Sequence, residues 1–128
     1  MTGKVVHFEV PADNVERARK FYQSTFNWTI LPMPEMEYTI VGTGPGNAEG
    51  MPTEPGYIGG GIAKRGSNVS HPVITIQVDD IDAALAKIQR HGGSTLSPKA
   101  AIGPMGFVAY FMDSEGNTMG LWQLAPEA

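Results

Sequence analysis

Two residues apart on an alternating segment, His7 and Glu9 offer an imidazole and a carboxylate to the same side of the chain. Val5, His7 and Glu9 share one face while Val6, Phe8 and Val10 share the other, and this period of two predicts a strand. A carboxylate beside an imidazole can fix its tautomer and raise its basicity, so the pair suits proton transfer or ligand hydrogen bonding. His7 is therefore the candidate catalytic residue. An imidazole held only by packing, and a Glu9 charge left at a strand end, are the plain structural alternatives. Further along, Thr75 and Gln77 alternate in the same way beside Val73. Polar groups on a buried sheet face need partners, and a ligand or water can supply them. Val108, Tyr110 and Trp122 would line the same surface if the alternation holds, giving aromatic walls with a few polar groups. His71 and His91 have no hydrolase motif around them, and His91 falls at a predicted helix end.

Composition removes several chemistries. The 128 residues contain no Cys, so a thiolate nucleophile, a Cys zinc site and a disulfide framework are excluded. Lys and Arg total 9 and are scattered, and the formal net charge is -4, which gives nucleic acid no basic footprint. No apolar run approaches the roughly 20 residues of a membrane helix, and the first residues do not read as a signal peptide. A soluble, cytoplasmic protein with neither nucleic-acid nor membrane partners is the expectation.

The elements that must position these residues repeat. After the first strand, Val15, Ala18 and Tyr22 form an apolar stripe at helical spacing, and Asp13 with Glu16 resembles a capping box at its start. Strands are expected at Trp28 to Met33, Tyr38 to Val41 and Tyr57 to Lys64. The Gly- and Pro-rich stretch from Gly42 to Gly56 reads as a mobile loop, with Met51 and Glu54 as residues a lid would bring to the site. Sliding Asp13 onto Asp79, an offset of 66, sets Phe8 on Ile74, Val10 on Ile76, Val15 on Ile81 and Ala18 on Ala84. Strand, capped helix and stripe recur in order, so the chain reads as a duplicated module (1–65 and 71–125) within one domain. Gly92-Gly93 ends the second helix, and Thr95 to Leu96, Phe107 to Met112 and Met119 to Gln123 are the later strands. Asp113 to Asn117 is the turn between the last two, with Gly116 free to take positive φ. The fold class is α+β: two βαβββ modules pairing their sheets around a cleft. Gly59-Gly60-Gly61 lacks the Lys-Ser/Thr and the following helix of a phosphate loop, so these glycines leave room for a ligand or for close packing.

His7-Phe-Glu-Val-Pro-Ala-Asp13, Phe21-Tyr22 and Phe26-Asn-Trp28 resemble the first module of the vicinal oxygen chelate superfamily of glyoxalase I, extradiol dioxygenases and bleomycin-resistance proteins. Gly59-Gly-Gly61 with Lys64-Arg65, Val78-Asp79-Asp80, Asp113 to Asn117 and Gly120-Leu-Trp-Gln123 resemble a glyoxalase-related subgroup of unassigned activity. The resemblance implies, in many members, a metal held by one ligand from the first strand and one from the last strand of each module. Carried onto this chain, the first-module histidine is His7, its counterpart is Val73, the last-strand glutamate falls on Gly120, and the first module offers Gly59 or Gly61. Valine and glycine side chains donate nothing to a metal. His71 shares a strand face with Val73 but lies about 7 Å away and would need a shifted register. No metal or other cofactor is expected.

Three activities stay open. One is metal-free binding of a small organic molecule. The second is a metal-dependent lyase, isomerase or dioxygenase with an altered ligand set, and the third a metal-free enzyme using His7 for proton transfer. Val5, Glu9, Val73, Thr75, Gln77, Val108, Tyr110 and Trp122 are the expected ligand-binding residues in each. Open sheet edges and the family resemblance both predict a homodimer.

Overall fold

The computed structural model describes residues 3–48 and 51–126. Its strands and helices are β1 (Val5–Ala12), α1 (Val15–Phe26), β2 (Thr29–Met33), β3 (Tyr38–Gly42), β4 (Gly59–Lys64), β5 (Val73–Gln77), α2 (Ile81–Arg90), β6 (Ser94–Ala101), β7 (Phe107–Met112) and β8 (Thr118–Gln123). The βαβββ order occurs twice, with both helices in the predicted register of 66. The chain divides into two units, one of His7–Pro72 and one of residues 73 onward with the N-terminal residues through Val6.

In the first unit the strands run in the order β2-β3-β4-β1. β1 is parallel to β4, placing His7 opposite Gly59 and Glu9 opposite Gly61, while β3 is antiparallel to both β4 and β2. Ala12, Val41 and Ile62 form its buried core, with Phe8, Val15, Ala18, Tyr22, Trp28 and Ile30 packed against them. The period-two prediction for β1 and the stripe of α1 therefore meet on one face. Tyr22 stacks on Trp28 at 4.6 Å between centroids and 8° between planes, which is offset-stacking geometry.

The helix start differs by one residue from the expectation. Asn14, not Asp13, is the N-cap: it is extended (φ -127, ψ 99) and its side chain accepts from the Arg17 amide at 2.9 Å. Asp13 instead pairs with the Arg65 guanidinium at 2.8 Å. A cap must directly precede the first helical residue, and that residue is Val15. The same shift recurs at α2, where Asp80 rather than Asp79 caps through the Ala83 amide.

The connection from β3 to β4 is tied down more than a mobile loop would be. Thr43 donates to the Ile58 carbonyl at 2.7 Å, Tyr57 donates to the Pro45 carbonyl, and Gly46 bridges to Pro52. Met51 and Glu54 are both exposed, and residues 49–50 lie outside the described set.

The second unit repeats the plan with strands in the order β5-β8-β7-β6. β5 is parallel to β8, and β7 is antiparallel to both β8 and β6. Gly3 and Lys4 add backbone bonds to Gln77. Val78, Ile81, Ala84, Leu85, Ala109, Phe111 and Leu121 form the core under α2. That helix closes in a Schellman motif, with Gly92 at φ +96, the Gly92 amide on Gln89 and the Gly93 amide on Ile88. β6 is longer than predicted. Its register shifts between Thr95 and Ala100, and as the last strand of the unit's order it tolerates Pro98. The Asp113 turn forms as expected, with Gly116 at φ +82 and the Asp113 carboxylate accepting from the amides of Glu115 and Asn117.

Candidate functional site

Each unit has a strand face turned away from its helix, here called the far face. In the first unit β1 sets His7 and Glu9 there, β4 sets Gly61, and β3 sets Tyr38 and Ile40. His7 Nε2 and the Tyr38 hydroxyl share a hydrogen bond of 2.8 Å. The phenol reaches His7 because Gly61 has no side chain: a Cβ there would overlap the Tyr38 ring and hydroxyl. On the helix side the neighbouring Gly60 does the same for Phe8, whose ring would lie 2.5 Å from an added Cβ. The glycine run is thus filled from both faces by aromatic rings of its own unit.

Burial controls the chemistry of this pair. Loss of water around His7 pushes its pKa down from 6.5 to about 4, so the imidazole is neutral at pH 7. A neutral imidazole offers one donor and one acceptor nitrogen, and the Tyr38 hydroxyl can match either. Glu9 is only 7% exposed. Among the described residues no buried side-chain nitrogen or oxygen lacks a partner. His7 therefore makes more contact than an imidazole merely pointing into solvent would.

On the far face of the second unit, Thr75 lies opposite Gly120 and Gln77 opposite Trp122. Tyr110 pairs with Gly120, and Val108 with Trp122. The alternation predicted for Val73, Thr75, Gln77, Val108, Tyr110 and Trp122 is the one observed. Val73 and Thr75 are buried, and the other four are half-buried. The Trp122 indole donates to the Met105 carbonyl at 2.9 Å, which fixes its ring. Val5 groups with this unit and is 48% exposed.

The donor set does not fit a divalent metal in either unit. In the first, His7 Nε2 faces a phenol and the last-strand position Gly61 is covered by that phenol's ring. In the second, Val73 is fully packed, and a Cβ on Gly120 would sit 2.7 Å from Thr75 Oγ1, so a glutamate there would displace Thr75. His71 is exposed, precedes β5, and bonds Ser70 through Nδ1. Among the described residues no three His, Asp or Glu side chains are grouped as a metal would need.

Residues 4–44 match the family of bleomycin resistance protein-like N-terminal segments. A glyoxylase-like domain-containing protein of Didymella fabae is 33% identical over 121 residues, covering 91% of this chain and 90% of that protein. The chain belongs to the glyoxalase/bleomycin-resistance group of the vicinal oxygen chelate superfamily. A second relative within this group, the Mycobacterium bovis protein CFP32 provisionally named a glyoxylase, is 34% identical over 113 residues. This chain spans only 40% of its length. Among solved structures, methylmalonyl-CoA epimerase from Mycobacterium tuberculosis matches 97% of this chain and 89% of its own with a TM-score of 0.65 at 13% identity, a likeness of fold. A hypothetical protein from Bacillus halodurans C-125 gives 0.66 at 12% identity, over 100% of this chain and 99% of its own.

Sequence reasoning missed Tyr38. The alternation of Tyr38 with Ile40 and the missing side chains at Gly59 to Gly61 carried the signal, but joining them requires the antiparallel register of β3 on β4.

Proposed function

We propose that the protein binds a small organic molecule on the far face of a unit and does so without a catalytic divalent metal. The observation that carries this reading is the His7–Tyr38 hydrogen bond across Gly61, which puts a phenol where a metal would have to approach the imidazole. In the first unit a neutral imidazole and a phenol, and in the second the side chains of Thr75, Gln77 and Tyr110, are polar groups among apolar neighbours, the usual make-up of a small-molecule site. Proton transfer by His7 is the second reading. A base with a pKa near 4 is weak at neutral pH, so that role requires a ligand that raises it. The fold neighbours named as methylmalonyl-CoA epimerases suggest a coenzyme A thioester, but among the described residues no Lys or Arg occupies a far-face strand position to meet its phosphates.

The reading extends to a cytoplasmic homodimer. β2 and β6 end the two strand orders, and Phe21 and Phe26 on α1 are more than half exposed. No helix among the described residues is long and apolar enough to cross a membrane. A sedimentation mass of two chains at micromolar concentration is expected, and a mass of one chain would count against pairing.

A fragment library screened by amide NMR tests the binding reading. Hits are expected to move the His7 and Tyr38 amides in the first unit, or the Thr75 amide and the Trp122 indole N–H in the second. Hits confined to helix or loop residues would reject it.

A further inference from the structure

Between β6 and β7 the chain makes a short turn whose base and tip are held very differently. At the base, Gly106 is buried with φ +115, and a Cβ there would lie 2.1 Å from the Gln123 carbonyl oxygen and 2.8 Å from the Ala125 amide nitrogen. The Ile102 amide closes this base on the Gly106 carbonyl at 2.9 Å. The tip is one 3-10 turn, Gly103–Met105, with Gly103 and Pro104 exposed. Gly103 takes φ +71 and has nothing within 4 Å of where a Cβ would stand. The tip's own backbone bond, from the Gly106 amide to the Gly103 carbonyl, is long at 3.4 Å. Among the described residues, the one side-chain bond to the tip comes from Trp122, whose indole donates to the Met105 carbonyl at 2.9 Å. The corresponding turn of the first unit, Pro34–Met36 with its cap Glu37, contains no glycine.

From this we infer that Gly103–Met105 is a strap with two positions, one latched on Trp122 and one lifted from it. Pro104 fixes its own φ, so the turn moves as one piece, hinging at Gly103 and at the peptide that joins Met105 to the clamped Gly106. Lifting it breaks one long backbone bond and one indole bond and leaves the β7–β8 ladder intact, which makes it a local opening rather than an unfolding. Trp122 stands on the far face of the second unit beside Gln77 and Val108, so the strap controls access to that end of the face. This goes beyond the binding reading above, and its test needs no ligand, so either can fail alone.

Hydrogen exchange of the intact protein, read by NMR as a protection factor for each N–H, tests the strap. The Trp122 indole N–H is compared with the amide of buried Val78, which bonds the carbonyl of the same Trp122 at 2.9 Å. The indole is expected to be protected at least about tenfold over free tryptophan, and at least about tenfold less than the Val78 amide. Pro104→Gly, which loosens the exposed tip, should lower the indole protection about two- to fivefold and leave Val78 unchanged. Indole protection within about tenfold of Val78 would mean that the strap opens only when the unit unfolds, and would overturn the inference. So would an indole protected less than about tenfold, because no latched position would then exist in solution. An indole rate left unchanged in a folded Pro104→Gly protein would overturn it as well. The comparison within the wild-type protein needs no variant, so it stands as a test even if Pro104→Gly fails to fold.

Discussion

Gly61→Ala is the substitution that the His7–Tyr38 bond should tolerate least. The added methyl would overlap the phenol, so either Tyr38 swings away or β3 and β4 shift. Overpacking of this kind costs about 1–3 kcal/mol, to be read as a fall in the urea midpoint together with a changed His7 ring signal. The depressed His7 pKa makes a second prediction. Between pH 6.5 and about 4 the unfolded chain takes up a proton at His7 that the folded chain does not. Stability therefore falls as pH drops through that window, by at most roughly 3 kcal/mol, and His7 contributes no further change below it. Urea unfolding from pH 7 to pH 4 should show the slope, and His7→Gln should flatten it. Asp113 acts lower down. The Asn117 amide, the Asn117 side chain and the Glu115 amide hold its pKa below the ordinary 3.8, so its contribution is lost only in stronger acid. At this scale the sequence displayed the polar residues and hid their pairing. His7, Glu9, Thr75 and Gln77 could be assigned to a face by alternation, whereas Tyr38 emerged only with the strand register.

The helices show how a repeat is legible while its boundaries are not. An offset of 66 brings α1 onto α2 because both are amphipathic stripes following a strand, and tertiary packing preserves that pattern. The cap is a one-residue matter, and two adjacent polar residues, Asp13-Asn14 and Asp79-Asp80, both satisfy the sequence rule. Asn14→Ala should cost about 1 kcal/mol through the lost bond to the Arg17 amide. Asp13→Ala, which removes an exposed ion pair, should stay within about 0.5 kcal/mol. Equal effects in thermal melts would put the helix start back at Asp13. On β1 the control for the two faces is Phe8→Ala. Phe8 lies on the core side, 5.7 Å from the Trp28 ring and against Gly60, so its loss should cost roughly 3–5 kcal/mol.

For the whole molecule, the order of elements and the family were legible because apolar periodicity and turn glycines survive at low identity. The fate of the family's metal positions was half legible. Val73 and Gly120 announced missing donors, but only packing reveals that Tyr38 and Thr75 have grown into the space the donors would need. The central claim is that these far faces serve an organic ligand rather than a metal. Elemental analysis of protein purified without chelators and dialysed against metal-free buffer tests it most directly. The account predicts no stoichiometric zinc, manganese, iron, nickel or magnesium, and about one such ion per chain, lost on His7→Ala, would contradict it.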